Sequence, residues 1–400
     1  MPVTVIPFFS SLASPKLIES YVNHLRKSGA TIQSSDETKR ESSGLCLFFI
    51  GSGGTEKLVA DYIHEMEFSS PIILLSHSAN NSLAASMELR AYFENKGLSA
   101  TIVYHSFQEL VEKLSKWVEF DKLLEKISTS TIGLVGSPSF WLIASDVDSG
   151  LVRDKWGLKI KNYDLGLLKD SPSSSTIIPE DFKHGASNIC VDEDEVRKAM
   201  SVAARLDEVV TSEDLDAVTV QCFDFLTDTS VSGCIALSHV NNRPNRVAGC
   251  EGDIPTTFSM LLGKILTGNS SFMANVTEID VARNTAVFAH CTVPTSLVND
   301  YELTTHYESD MSVGIRGVFK KQRVTIFKVF GEALQDYWVS SGTIIENLRN
   351  ENGCRTQIRV ELTEDVSYFL EQSLGNHHII IPGDHACTIQ DFFSFVHLRE

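Results

Sequence analysis

The segment VAGCEGDIPTTFSMLLGKILTG (247–268) places a carboxylate, Glu251, between a short apolar run and a glycine, just before a helix-like stretch. An acid there either decorates a helix start, where the helix dipole favours negative charge, or belongs to a site. Asp253 already occupies the better capping position, which leaves Glu251 free to point off the strand end. Downstream, His290 lies in VFAHCTVP, His306 and Glu308 in THYES, and His377, His378 and His385 in GNHHIIIPGDH. These groups adjoin strand-like runs rather than solvated helices. Carboxylate oxygen with imidazole nitrogen is the donor set of Mn²⁺, Zn²⁺ or Fe²⁺ in open catalytic sites. No local H-E-x-x-H spacing occurs, so composition alone does not establish a metal site.

Two loops are weaker candidates. GSGG (51–54), between a strand and a helix, could cradle a phosphate on backbone N–H groups, but it lacks the full dinucleotide or P-loop signature. Glycines for a tight turn are the simpler reading. GSPSFW (136–141) holds the same place in a second unit, at the carboxyl end of a strand, where α/β sheets bind ligands. Trp141 there either faces a sugar or fills the core.

These residues need a scaffold, and the hydrophobic pattern predicts an α/β one. Strand-like runs at 3–9, 45–51, 71–77 and 100–106 alternate with helix candidates at 14–28, after GSGG, at 81–96 and at 107–127. Such alternation means a parallel sheet with both faces covered, a Rossmann-like or flavodoxin-like unit over 1–128. A second such unit, 129–268, carries Glu251. It runs from the strand at 131–138 through a helix over 140–156 and a strand at 158–165. A serine-rich loop at 169–182, a helix at 193–210 and a strand at 217–223 follow. The helix at 254–266 has Asp253 as N-cap and Pro255 in its first turn. From 269 to 400 the texture becomes short β runs divided by turns, which predicts a β-rich, antiparallel barrel-like domain carrying His290 and His378.

Bulk properties narrow the function class. The 400 residues, 42% hydrophobic and 22% charged, describe an ordinary globular chain too long for one core. No apolar run approaches a membrane span, and MPVTVIPFFSS reads as a first strand rather than a leader. A net charge of −18 argues against nucleic acid or an anionic membrane as partner. The eight cysteines are scattered with no C-x-x-C pair, which points to a reducing, cytoplasmic setting and away from disulfides or a zinc knuckle.

Five segments together, CEGDIPTTFSMLLGKILTG, SFMANVTEID, FAHCTVPTSL, THYESDMSVGI and GNHHIIIPGDH, resemble the L-fucose isomerase / L-arabinose isomerase superfamily. The resemblance is concentrated in 247–315 and 374–396; the first 130 residues match only in layout. It implies an oligomeric aldose–ketose isomerase in which a divalent metal, usually manganese, polarises the carbonyl of an open-chain sugar while a carboxylate moves a carbon-bound proton through an ene-diol. By motif, Glu251 would be metal ligand and acid/base, and His378 and His290 metal ligands. Trp141, His306, Glu308 and His377 are the candidate substrate contacts.

One position departs from that pattern. The superfamily places an acid after the F-[MA] pair, as second ligand and second catalytic carboxylate; here the residues are Ala274 and Asn275. Asn275 can offer a carbonyl oxygen to a hard cation, but it cannot act as a base. Glu278 or Asp280 could substitute if the loop curls back. The expectation is therefore a metal-dependent sugar isomerase. The alternatives are a carbohydrate-binding protein of the same fold with impaired catalysis, or an epimerase or lyase using the same enediolate chemistry.

Overall fold

A computed structural model describes residues 3–34, 45–66, 68, 71–170 and 181–399. The serine-rich stretch 169–182 falls mostly outside them. The chain divides into two compact units, Met1–Glu125 with Gln390–Glu400, and Lys126–Ile389.

The first unit is built on a parallel sheet of β1 (Thr4–Phe8), β2 (Thr31–Ile32), β3 (Cys46–Ile50), β4 (Ile72–His77) and β5 (Ala100–His105), in the order β2-β1-β3-β4-β5. β3 and β4 are buried at every position, as parallel strands covered by helices on both faces must be. Phe8, Phe48, Val59, Ile63, Leu74 and Phe93 are among the side chains of this core. GSGG turns the chain from β3 into the helix Glu56–Glu65; a Cβ on Gly51 would lie 2.2 Å from the ring of Phe9, so packing requires a glycine there. The C-terminal helix Ala386–His397, which the sequence pattern did not suggest, returns Phe392 and Phe395 to this unit, with ring centres 5.5 and 5.9 Å from Phe120.

The second unit opens with five short strands: β6 (Thr131–Val135), β7 (Lys159–Tyr163), β8 (Asn188–Ile189), β9 (Ala217–Val220) and β10 (Val247–Cys250). Four of them form a parallel sheet in the order β10-β9-β6-β7. β11 (Phe272–Asp280), β12 (Thr285–His290), β13 (Asp300–Thr304), β14 (Gly314–Val318), β15 (Arg323–Phe330), β16 (Asp336–Asn347), β17 (Thr356–Leu362) and β18 (His377–Pro382) follow. Six of these close an antiparallel barrel, β11-β12-β17-β16-β15-β18, while β8, β13 and β14 form a separate three-stranded sheet. The molecule is thus mixed α/β, with parallel sheets and a closed barrel.

The helix Ile254–Thr267 packs against both the parallel sheet (β9, β10) and the barrel (β15, β18). It is buried at every position from Ile254 to Lys264, which explains its apolar sequence. Its hydroxyls are satisfied locally: Ser259 Oγ donates to the Pro255 carbonyl at 2.7 Å and accepts from the Val329 N–H at 2.8 Å. Gly263 gives β18 room, since a Cβ there would meet Ile381 at 2.9 Å and Ile379 at 3.2 Å.

One expectation fails. The helix predicted over 140–156 forms only at Ser149–Trp156. Asp148 caps it, accepting from the N–H groups of Gly150 (2.7 Å) and Leu151 (3.0 Å), and the residues before the cap form turns instead. Sequence periodicity could not see that Trp141 is drawn into a contact made 110 residues away.

Phe258, fully buried, has its ring centre 5.2 Å from that of Trp156 in the second unit. Phe258→Ala is expected to lower the unfolding free energy of that unit by about 3–5 kcal/mol in urea titration. A loss under 1 kcal/mol would mean that this helix is not the core seam it looks to be.

Candidate active site

The site begins with an unusual backbone. After β10, Glu251 and Gly252 both take left-handed conformations, with φ of 65° and 69°. For glutamate this costs about 1–3 kcal/mol unless neighbours impose it. They do: the Gly252 N–H donates to the Val220 carbonyl at 3.0 Å, and the Ser139 N–H to the Glu251 carbonyl at 2.8 Å. A Cβ on Gly252 would fall 2.5 Å from the Ser137 carbonyl oxygen and 2.7 Å from Pro138 Cα, so only glycine lets the 136–141 loop close on this turn.

The turn buries the Glu251 side chain and aims each oxygen at a partner. Oε2 accepts from the indole N–H of Trp141 at 2.7 Å. Oε1 lies 3.5 Å from His377 Nε2 and 3.8 Å from His290 Nε2. Burial pushes the carboxyl pKa up, but His377, His290 and the Trp141 N–H outweigh it and hold the group below its ordinary value. Glu251 is therefore a carboxylate at neutral pH.

Behind it stands Asp253, completely buried. It accepts from the Thr256 N–H at 2.8 Å as helix cap, from the Thr256 hydroxyl at 2.7 Å and from His377 Nδ1 at 2.9 Å. Lys328 Nζ, also fully buried, lies 3.7 Å from Asp253 Oδ2. Burial opposes the charge on Asp253, yet Lys328 and His377 keep it ionised far below the usual range. His377 lies between two carboxylates; burial lowers its pKa, but Asp253 and Glu251 raise it to about 9. His290 has only Glu251 to support its charge, and burial with the nearby His377 charge outweighs it, lowering the pKa to about 4 and leaving a neutral imidazole.

The two histidines of GNHHIIIPGDH part company. Alternate residues of a strand face opposite sides. His377 pairs in register with Asn275 and faces Asp253 and Glu251, on the side of β18 that carries Ile379 and Ile381 against the helix. His378 faces the other way, into an aromatic cluster of Trp338, Tyr368 and Phe369, with its Nε2 3.0 Å from the Tyr368 hydroxyl. Burial depresses its pKa to about 3. The fold therefore brings His377, not His378, to Glu251.

Asn275 does reach the site, its Oδ1 accepting from Asn376 Nδ2 at 3.0 Å. With Trp141, Glu251, Glu308, Gln357 and Arg359 it lines an open cavity of about 880 Å³. Glu308 is pushed up by burial and by the Glu251 charge. His306 is buried near the same cleft, its ring 5.4 Å from Phe223, and burial and the Arg355 charge lower its pKa. Glu278 lines the same cavity, where it accepts from Arg359 at 2.8 Å, whereas Asp280 accepts from the Arg283 N–H at 3.0 Å. His385 lies 3.0 Å from the Pro382 carbonyl, apart from Glu251's partners.

A feature missed in the sequence is the gathering of thiols. Cys222, Cys234, Cys250, Cys291 and Cys354, separated by up to 132 positions, line one small cavity of about 30 Å³ beside Glu251 and His290. Potential ligand atoms of Cys250, Glu251 and His290 all lie within 4.8 Å of one another, forming a possible metal site among the described residues. Linear spacing gives no signal for this cluster.

No family model matches the chain. It is similar to a sulfoquinovose isomerase of Alkalicoccus urumqiensis, 23% identical over 293 residues, which cover 68% of this chain and 65% of that protein. It is also similar to a sulfoquinovose isomerase of Priestia megaterium, 25% identical over 236 residues, 55% of this chain and 52% of that protein. A third, from a Clostridium species, is 32% identical over 87 residues, 21% and 19% of the two chains. The chain thus spans between half and two thirds of the length of the first relatives it matches.

Gly252→Ala is expected to destabilise the second unit by about 1–3 kcal/mol, because the added methyl meets backbone that cannot step aside. Thermal unfolding unchanged from the parent would show that the 136–141 loop is not locked to the Glu251 turn.

Proposed function

We propose that the chain is an aldose–ketose isomerase working through an ene-diol, with a divalent cation, Mn²⁺ foremost, held beside Glu251. The observation that carries this reading is the Glu251 carboxylate, buried, ionised and fixed at Oε2 by Trp141, on the wall of a polar cavity large enough for a sugar. The similarity to sulfoquinovose isomerases supports the reaction class, and sulfoquinovose and related aldoses are the first substrates to try.

The donor set fits a cation. His377 Nε2, which faces Glu251, is buried without a hydrogen-bond partner, a costly condition that ligation or a bound water relieves. Glu251 Oε1 stands 3.5 and 3.8 Å from the two Nε2 atoms, while donors each about 2.1 Å from one ion stand roughly 3.0–3.6 Å apart. Glu251, His290 and His377 would hold the ion, His377 giving up its Nε2 proton on binding, with the Asn275 carbonyl as a neutral oxygen donor. His377 takes the ligand role expected for His378, and the Asp253 contact at Nδ1 is the supporting carboxylate that ligating imidazoles commonly have. The Cys250 thiol lies within 4.8 Å of Glu251 and His290 and would join the donor set by losing its proton to the ion. When bound, the ion supplies Lewis-acid stabilisation of the oxygens that become negative as the carbon-bound proton leaves.

The chain's own groups divide the proton work. Glu251, ionised, accepts the proton from the carbon beside the carbonyl and returns it to the neighbouring carbon. Glu308 lines the same cavity with its pKa raised, whereas that of Glu251 is lowered. Two carboxyl groups pushed apart in this way mark a base and an acid, so Glu308 donates to and recovers from the substrate oxygen. Glu308 would then supply the second carboxyl function that Asn275 cannot. Trp141 fixes Glu251 and, packed edge-on to Phe223 at 4.9 Å, offers an apolar wall to the sugar.

The amide at Asn275 also favours a second reading, a sugar-binding protein without turnover. Glu251→Gln separates the two: turnover should fall about 10²–10⁴-fold, with sugar binding kept if the residue is the base. Turnover that survives the change removes the mechanism, and sugar binding without turnover in the parent favours the binding protein. Metal titration tests the ligand set independently. His377→Ala should abolish stoichiometric Mn²⁺ binding and His378→Ala should spare it; the reverse result would restore the ligand expected from the motif. Asn275→Asp should tighten Mn²⁺ binding about tenfold through one added charge, and unchanged affinity would place Asn275 outside the donor set.

A further inference from the structure

The open cavity has two chemically different ends. Along β12 its barrel wall runs from His290, beside Glu251, to Ala289, which pairs with Asn275 and Gln357. It continues to Val287, which pairs with Glu278 and Arg359. Residues three apart on a regular strand face opposite sides, but a bulge between Val276 and Glu278 brings Glu278 to the cavity that Asn275 also lines. Glu251, Asn275 and Glu308 line the small cavity with His290 as well, whereas Glu278, Arg349 and Arg359 line the open one alone. Glu251 and Glu308 thus mark one end and Arg359 the other, three strand residues or about 10 Å away.

We propose that Arg359 is a specificity-determining residue that seats an anionic substituent, a sulfonate or a phosphate, at the end of an open-chain sugar remote from its carbonyl. Placing the carbonyl at Glu251 rests on the isomerase reading. An extended six-carbon chain so placed brings its last substituent to the Arg359 end, over the small apolar floor of Val287 and Ala289. The guanidinium is charged at any working pH, and its planar fork of donors matches the oxygens of a tetrahedral anion. Asn350 and Asn352 on the same wall offer amides to the hydroxyls between. Arg349, 60% exposed and 3.2 Å from Glu302, adds a second cation to the lining.

Arg359 already has partners. Its Nη2 donates to Glu278 Oε1 at 2.8 Å, and its Nε lies 3.6 Å from Glu346 Oε2. The burial of these groups is uneven: the Arg359 side chain is 18% exposed, and each glutamate 56%. A carboxylate more than half in water leaves such a pair at little cost, while the guanidinium stays in place. Glu278 therefore holds the fork when the seat is empty and gives way to the anion. The two residues consequently act in opposite directions: Arg359 attracts the substituent, and Glu278 competes with it.

The test is titration calorimetry of the full chain with sulfoquinovose, glucose 6-phosphate and glucose. The parent should bind at least one of the two anionic sugars about tenfold more tightly than glucose, and the tighter one identifies the substituent. Arg359→Gln should weaken that sugar about 10–100-fold and leave glucose within about twofold, with part of the loss recovered in Arg359→Lys. Glu278→Gln should tighten it. Anionic sugars bound no more tightly than glucose by the parent, all three sugars weakened alike by Arg359→Gln, or the anion weakened by Glu278→Gln would each overturn the proposal. The parent and Glu278→Gln decide the matter even if the Arg359 variants do not fold. Binding needs no turnover, so the two readings fail separately. Selective binding of the anion without isomerisation removes the isomerase and keeps the seat; isomerisation without preference for the anion does the reverse.

Discussion

Everything at the cleft depends on one buried carboxylate, Asp253. It starts the helix Ile254–Thr267, neutralises Lys328 and fixes His377, all without contact with water. Removing several charges from solvent is expensive, and the cost is recovered only when every partner is in place. The helix cap, the barrel lysine on β15 and the imidazole on β18 therefore have to assemble together. That requirement fixes the barrel against the parallel sheet at the point where Glu251 emerges. The His377 ring orientation follows from helix capping before any ligand is considered.

The rest of the cleft follows from strand ends. In an open parallel sheet the carboxyl ends of the strands leave a crevice where the strand order reverses. Here β6 leads into the loop bearing Trp141 and β10 into Glu251, and the two side chains meet through a 2.7 Å hydrogen bond. The barrel supplies the opposite wall from β11, β12 and β18, with Asn275 in register with both Ala289 and His377. The left-handed turn at Glu251–Gly252 joins these two architectures. It directs a carboxylate that a regular helix start would have left in the first turn toward the imidazoles of the barrel.

What the sequence revealed and what it concealed divide along physical lines. Most of the parallel strands, the capped helix at Asp253 and the barrel strands β12, β15, β17 and β18 were legible, because local periodicity and capping chemistry decide them; β11 and β16 were not. Glu251 and His290 were legible as candidates at strand ends, and Asn275, inside β11, only as a departure from the motif that the chain resembles. The choice between His377 and His378 was not, since adjacent strand residues differ only in which face they take, and that is settled by partners on distant segments. Trp141 misled the helix reading because its indole answers to Glu251 rather than to its neighbours in sequence. The five thiols were invisible for the same reason: they come from five segments, and each alone is an unremarkable small apolar residue.

The amide at position 275 is the hardest point for an isomerase and also the most instructive. A carboxylate there would add a third negative charge to a small volume already shared by Glu251 and Glu308, and mutual repulsion would raise all three pKa values. Asparagine keeps an oxygen donor while sparing that repulsion. Glu251 can then remain ionised under the influence of His377, while burial and the Glu251 charge push Glu308 upward. The opposite pKa directions of Glu251 and Glu308 thus arise beside an amide at position 275 rather than a further carboxylate.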